Sequence, residues 1–139
     1  MKRRQAREYA LQILFQIDFT EKKVGRRELD EFWSDKKENR EIREFAEELV
    51  KGTLEKLEDI DALIEKLAEN WILGRMAAVD RNILRFAAFE ILYRRDIPSA
   101  VTINEALEIA KKYSSSESAP FLNGVLDRLA KEAKEAEKA

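Results

Sequence analysis

A chain of 139 residues with 45% apolar residues, four Gly and two Pro is sized for one domain with a packed interior, and is too poor in turn-formers for a many-stranded sheet protein. Its charged residues make up 39% of the chain yet cancel to a net charge of −2, so a nucleic-acid site has to be a local patch rather than a property of the whole surface. The absence of Cys and His removes disulfides, thiolate nucleophiles, the usual zinc sites and the commonest general base.

The opening Met1-Lys2-Arg3-Arg4 lacks the apolar core of a secretory signal, which predicts a cytoplasmic protein. Arg3 to Thr20 reads as a first helix, with Ala6, Ala10, Ile13, Leu14 and Ile17 on one face. Lys2, Arg3, Arg4 and Arg7 form a basic cluster at its start. Arg3, Arg4 and Arg7 fan over one quadrant at roughly 100° per residue. Positive charge there opposes the helix dipole, which points to a function rather than to local stability. Leu11, Phe15 and Phe19 fall off the core stripe and need cover from another helix or from a partner.

Val24-Gly25 marks a connection, and Arg27 to Asp35 reads as a short helix carrying Leu29, Phe32 and Trp33. After a polar linker at Lys36 to Asn39, a long stripe runs through Ile42, Phe45, Ala46, Leu49, Val50, Thr53, Leu54 and Leu57. Gly52 within it suggests a close packing contact. Glu58-Asp59 resets the pattern, and Ile60, Leu63, Ile64, Leu67, Ala68 and Trp71 form the next stripe, with Asp59 or Asp61 near its start to suit the dipole. Asn70 to Arg75 reads as a joint, where Gly74 ends a helix or turns the chain.

Val79 to Tyr93 is apolar almost all round. No run reaches the roughly 18 residues of a membrane span, so this is expected to be the central core helix, its charged head of Asp80, Arg81 and Arg85 reaching the surface. Pro98 breaks it. Thr102-x-x-Glu105 reads as a capping box ahead of Ile103, Ala106, Leu107, Ala110 and Tyr113. A serine loop follows, with Ser118 as N-cap and Pro120 in the first turn of a last helix through Phe121, Leu122, Val125, Leu126 and Leu129. Gly124 inside that helix costs about 1 kcal/mol relative to Ala, so tight packing or the close approach of a ligand should compensate. The charged stretch from Lys131 is expected to fray.

The expected fold is all-α, a single domain over residues 1–139. About seven helices should form two packed three-helix sub-bundles, near 1–73 and 74–132, before a charged tail at 133–139. No phosphate-binding loop, nucleophile elbow or metal-ligand spacing is present, which argues against an enzyme. What remains is recognition. Arg75, Arg81 and Lys112 can join the basic cluster only if the fold brings them near. Tyr113, Phe121 and Asn123 are of the type that meets single-stranded RNA bases, though such aromatics also belong in cores.

Four segments, taken in order, resemble the NusB family of transcription antitermination factors: Arg3-Arg4-Gln5-Ala6-Arg7-Glu8 leading to Leu14-Phe15; Val79 to Arg85 leading to Phe89-Glu90-Ile91-Leu92; Pro98 followed by Thr102 to Lys111; and Phe121-Leu122-Asn123-Gly124-Val125-Leu126-Asp127. The resemblance implies two three-helix sub-bundles with an extra helix in the second, no cofactor, and binding of the boxA element of nascent ribosomal RNA leaders. The partners it implies are the ribosomal protein NusE and, through the antitermination complex, RNA polymerase. It implies RNA contacts at Arg3, Arg4, Arg7, Phe121 and Asn123, and NusE contacts at Phe15 and Asp80; Lys2, Arg81 and Lys112 are added to the expected RNA contacts from the basic residues, and Glu117 of the serine loop to the expected NusE contacts. Gly124 would allow close packing. Gln5 and Pro120 depart from basic residues found in other members, which makes the patch slightly poorer.

On this view Arg4→Ala or Arg7→Ala should weaken RNA binding while the fold survives. A module that binds only proteins through Leu11, Phe15 and Phe19 is the competing reading. The same family also supplies the RNA-binding domain of ribosomal RNA methyltransferases. Because the sequence ends soon after the last helix, a free-standing, non-catalytic factor is expected. Monomer and homodimer both stay open.

Overall fold

The computed structural model describes residues 2–21, 23–68 and 73–138, of Lys138 the backbone alone. Seven α-helices occur among the described residues: α1 (Lys2–Thr20), α2 (Arg26–Trp33), α3 (Arg40–Glu55), α4 (Leu57–Leu67), α5 (Ala78–Tyr93), α6 (Ser99–Tyr113) and α7 (Ser118–Lys138), with a 3-10 turn at Leu73–Arg75. No strand is found among those residues, as the composition predicts. Of the stretch read as a joint, Asn70, Trp71 and Ile72 lie outside the described residues.

Local chemistry sets the helix boundaries. The Gly25 amide donates to Glu28 Oε1 at 2.7 Å as α2 begins. The Asn39 side chain accepts from the Ile42 amide at 3.0 Å and caps α3. Asn39, read as linker, is therefore the start signal of the long stripe. That stripe breaks at Lys56, and Glu58 and Asp59 follow in the first turn of α4, where negative charge suits the helix dipole.

α5 is the axis of the molecule. It packs against α1, α3, α4, α6 and α7, and Ile83, Leu84, Phe86, Ala87 and Ala88 on it are fully enclosed. The helices come close where side chains are small. At Gly52 of α3 the Phe89 ring occupies the space a Cβ would need, so the close contact expected there is present. At Gly124 of α7 a Cβ would meet only the Arg128 guanidinium, at 3.8 Å, so tight packing is not what that glycine serves.

Two expectations about polar groups fail. The charged head of α5 does not stand in solvent: Asp80 and Asn82 are buried, and Arg81 and Arg85 are largely covered. Arg81 pairs with Asp18 of α1 at 2.8 Å, and Arg85 pairs with Asp61 of α4 through two bonds of 2.9 Å. The second failure is the capping box. α6 starts at Ser99, directly after Pro98, so Thr102 and Glu105 lie inside the helix. Thr102 is buried and donates to Glu90 Oε1 at 2.9 Å, while Glu105 pairs with Arg4. Long-range partners claimed both side chains.

Candidate nucleic-acid and partner interface

The basic residues at the start of α1 go to three different places. Lys2 lies at the surface, 3.4 Å from Glu41. The Arg3 guanidinium sits over the Phe45 ring, 4.6 Å from its centre, a cation–π placement that holds an otherwise exposed cation. Arg4 is part-exposed, and its Nε donates to Glu105 Oε2. Arg7 turns inward and is 2% exposed. It donates from Nε and Nη2 to the two oxygens of Glu90, both at 2.7 Å. Glu90 is fully enclosed, and Thr102 supplies its third bond. Arg7 therefore has no surface to offer a phosphate, and its assignment as an RNA contact is corrected to a clasp joining α1, α5 and α6. The signal was in the sequence: a lone carboxylate in the apolar run Ala87 to Leu92 requires a buried cation.

Lys112 does join the surface of Arg4. Its Nζ donates to Glu8 Oε1 at 2.7 Å, and the Tyr113 hydroxyl donates to the same oxygen at 2.7 Å. Burial would push the Glu8 carboxyl up, but the bonds from Lys112 and Tyr113 outweigh it and hold the group below its ordinary value. The hydrogen bond to Glu8 raises Lys112, and the bond to Glu105 raises Arg4. Arg81 does not join this surface. Its partner Asp18 lies about 21 Å along α1 from Arg4, by the 1.5 Å rise of a helix. Besides Asp18, Arg81 donates to the carbonyls of Leu73 and Met76 at 3.1 and 3.2 Å, which fastens the turn before α5. Burial would raise Asp18, and bonds from Arg81 and Asn82 hold it below its ordinary value instead.

The other residues singled out lie on α5 and around the α6–α7 loop. Asp80 is buried and accepts from Ser114 Oγ at 2.6 Å and Ser118 Oγ at 2.8 Å. It braces the loop, and Ser118, read as an N-cap, spends its hydroxyl on Asp80. Glu117 on that loop and Asn123 in the first turns of α7 are exposed, whereas Phe121 is half-buried against the core. Arg75, on the 3-10 turn, is exposed.

Along α1, Leu11 lies off the first stripe yet is buried in the core cluster, so its cover comes from within the chain. Phe15 and Phe19 are 37% and 81% exposed. Their rings are parallel, with centroids 6.5 Å apart. Among the described residues no helix covers Phe19. Two exposed, stacked phenyl rings on one turn of helix are an apolar surface that water solvates poorly. Among the described residues there is no group of His, Cys, Asp and Glu placed to hold a metal ion, and no helix long and apolar enough to cross a membrane.

The sequence model described as the NusB family matches residues 4–131. The chain belongs to the NusB family. It is 50% identical to the transcription antitermination protein NusB of Thermodesulfovibrio yellowstonii, over 95% of this chain and 93% of that one. With the protein of the same name from Desulfitobacterium hafniense it shares 53% identity, over 93% and 88%. Its fold matches T. maritima NusB with a TM-score of 0.85 at 42% identity, covering 94% of this chain and 91% of that chain. It also matches, with a TM-score of 0.85 at 27% identity, a chain in the crystal structure of antitermination factors NusB and NusE in complex with dsRNA. That match covers 94% of this chain and 97% of the other. A NusB fold therefore frames the two features described above, a cation-bearing edge at the start of α1 and a pair of exposed rings further along it.

Proposed function

We infer that this chain is a transcription antitermination factor that binds the boxA element of nascent ribosomal RNA leaders together with the ribosomal protein NusE, within the complex that keeps RNA polymerase transcribing. The observation that carries this reading is the match of the fold, nearly end to end, to a NusB solved with NusE and RNA. The chain acts as a non-catalytic adaptor in the cytoplasm, needing no cofactor: its exposed groups are binding groups.

Within that reading the RNA surface is the edge made by Lys2, Arg3, Arg4 and Lys112, with Phe121 and Asn123 as groups suited to bases. Lys and Arg supply affinity by releasing the counterions of the phosphates. The NusE surface takes Phe15, to which the exposed and stacked Phe19 belongs, and Glu117. Arg7, Arg81 and Asp80 serve by holding these elements in place. The RNA is read as single-stranded, since sequence-specific reading of RNA targets unpaired bases; the neighbouring complex contains a duplex, so both forms enter the test.

The test is a titration of fluorescent boxA-type RNA with the protein, alone and with NusE, against a scrambled strand and a duplex, at two salt concentrations. Sequence-dependent binding that tightens with NusE is expected. Equal, salt-sensitive binding to every RNA with no effect of NusE would overturn the reading and leave a basic helical module.

A further inference from the structure

Where α1 meets α6, the part of the RNA surface around Arg4 and Lys112, with Lys111 beside it, carries no net charge of its own. Three cations lie there, Arg4, Lys111 and Lys112, and each is engaged by a carboxylate: Arg4 by Glu105, Lys111 by Glu108 at 3.2 Å, Lys112 by Glu8 at 2.7 Å. The groups form one cluster, since Arg4 also feels the charges of Glu8 and Glu108. Glu8 and Glu105 are themselves buried while their cations remain exposed or part-exposed. The carboxylates thus lie beneath and the cations above. That arrangement costs phosphate affinity. A cation already matched to a carboxylate releases less on meeting a phosphate than a free one does, and counterion release is the term that every RNA shares, whatever its sequence.

We propose that Glu8, Glu105 and Glu108 determine the selectivity of this surface by cancelling the field that any phosphate backbone would feel, so that an RNA gains affinity here only through groups beyond its phosphates. Each carboxylate also orients its cation. The Nε of Arg4 is given to Glu105 while its side chain stays part-exposed, so the other donors of its planar fork can take a second acceptor. Lys112 is held beside the half-exposed Tyr113 ring, with Nζ 5.3 Å from the ring centre, so a base stacking on that ring would meet a fixed cation. Orientation is kept and net charge is withheld, the combination that favours a fitting RNA over a merely anionic one.

The inference rests on the RNA-binding reading, and the experiment separates the two. Glu8→Gln and Glu105→Gln keep the side-chain shape and one oxygen that can accept these hydrogen bonds, remove the charge, and put an amide NH2 in place of the other oxygen. Both variants and the parent are titrated with boxA-type and scrambled single-stranded RNA over a salt series, and circular dichroism melts report the fold. Each Gln variant is expected to bind scrambled RNA roughly two- to fivefold tighter, the scale of one partly exposed ion pair. Its log–log salt slope should steepen by about 0.7, one freed cation on a single strand. The ratio of boxA-type to scrambled affinity should fall. Folded variants whose affinity and slope equal the parent's, or that bind both RNAs more weakly, overturn the proposal and leave the carboxylates a purely structural role. If either variant unfolds, Glu108→Gln on the outer face of α6 reads the same effect through Lys111, and an unchanged slope there is equally fatal. A parent that discriminates between the RNAs while the variants match it sinks this proposal alone. A parent that binds neither RNA, with or without NusE, overturns the antitermination reading and this inference with it.

Discussion

Arg4 and Arg7 lie one helical turn apart, and nothing in their local sequence distinguishes them. What separates them is a carboxylate on another helix. Glu90 of α5 takes both donors of Arg7's inner edge in the interior, whereas Glu105 of α6 meets Arg4 at the rim. Their substitutions should therefore fail in different ways. Arg4→Ala should lower the thermal melt less than Arg7→Ala does, weaken RNA binding, and flatten its salt dependence by less than one full phosphate contact, because Glu105 already offsets this cation. Arg7→Ala leaves the fully buried Glu90 carboxyl without its cation, so it should cost about 3–5 kcal/mol in a denaturant titration before RNA is considered. Arg7→Met combined with Glu90→Leu removes both charges and should recover most of that loss. A single Arg7→Ala variant that melts like the parent would refute the clasp. The quadrant of three arginines was legible in the sequence. Glu90 in its apolar run signals a buried cation, but which arginine supplies it was not legible, because the two lie 83 residues apart.

Helix interiors hold two glycines that the sequence marks in the same way and the structure sorts into opposite kinds. On propensity alone, Gly→Ala in a helix should gain about 1 kcal/mol. In α3 the Phe89 ring of α5 lies where the Gly52 Cβ would go. Gly52→Ala should therefore destabilise by about 1–3 kcal/mol, as overpacking does, and push α3 and α5 apart. In α7 a Cβ at Gly124 has ordinary room beside Arg128, so Gly124→Ala should stabilise by about 0.4–1 kcal/mol through a less flexible unfolded chain. Denaturation midpoints of the two variants, read against the parent, check both signs at once. If Gly124→Ala stabilises the fold yet weakens RNA binding, the glycine serves close approach of the ligand at the motif beginning with Phe121, the alternative that tight packing leaves standing. Helix number and the apolar stripes were readable because periodicity is local. The first turns of α6 were misread because Thr102 and Glu105 satisfy a local motif while serving Glu90 and Arg4 across the fold.

For the whole molecule, α5 is shared by helices from both ends of the chain, and ion pairs and hydrogen bonds to covered carboxylates tie separate helices together: Asp18 to Arg81 and Asn82, Arg85 to Asp61, Glu47 to Arg26 and Trp33. This sets the pH response. Asp18 and Glu8 are held below their ordinary values against the pull of burial, and the hydrogen bond from Arg26 holds Glu47 below its own. A carboxyl depressed in the fold binds its proton more weakly there than in the unfolded chain. Its contribution is therefore complete above the unfolded value, near 4, and is lost as the pH falls through the folded value. With no His in the chain, no side chain has an ordinary pKa between pH 5 and 8. The midpoint of thermal unfolding should stay flat across that span and fall steeply below about pH 4. Asp18→Asn should unfold at a lower temperature than the parent at neutral pH, and the gap between the two should narrow as acid removes the parent's advantage. Melting curves at half-unit pH steps read both effects. A gap that stays constant down to pH 2 would show that Asp18 carries no linkage, and would place the acid sensitivity in carboxylates other than the one joining α1 to the head of α5.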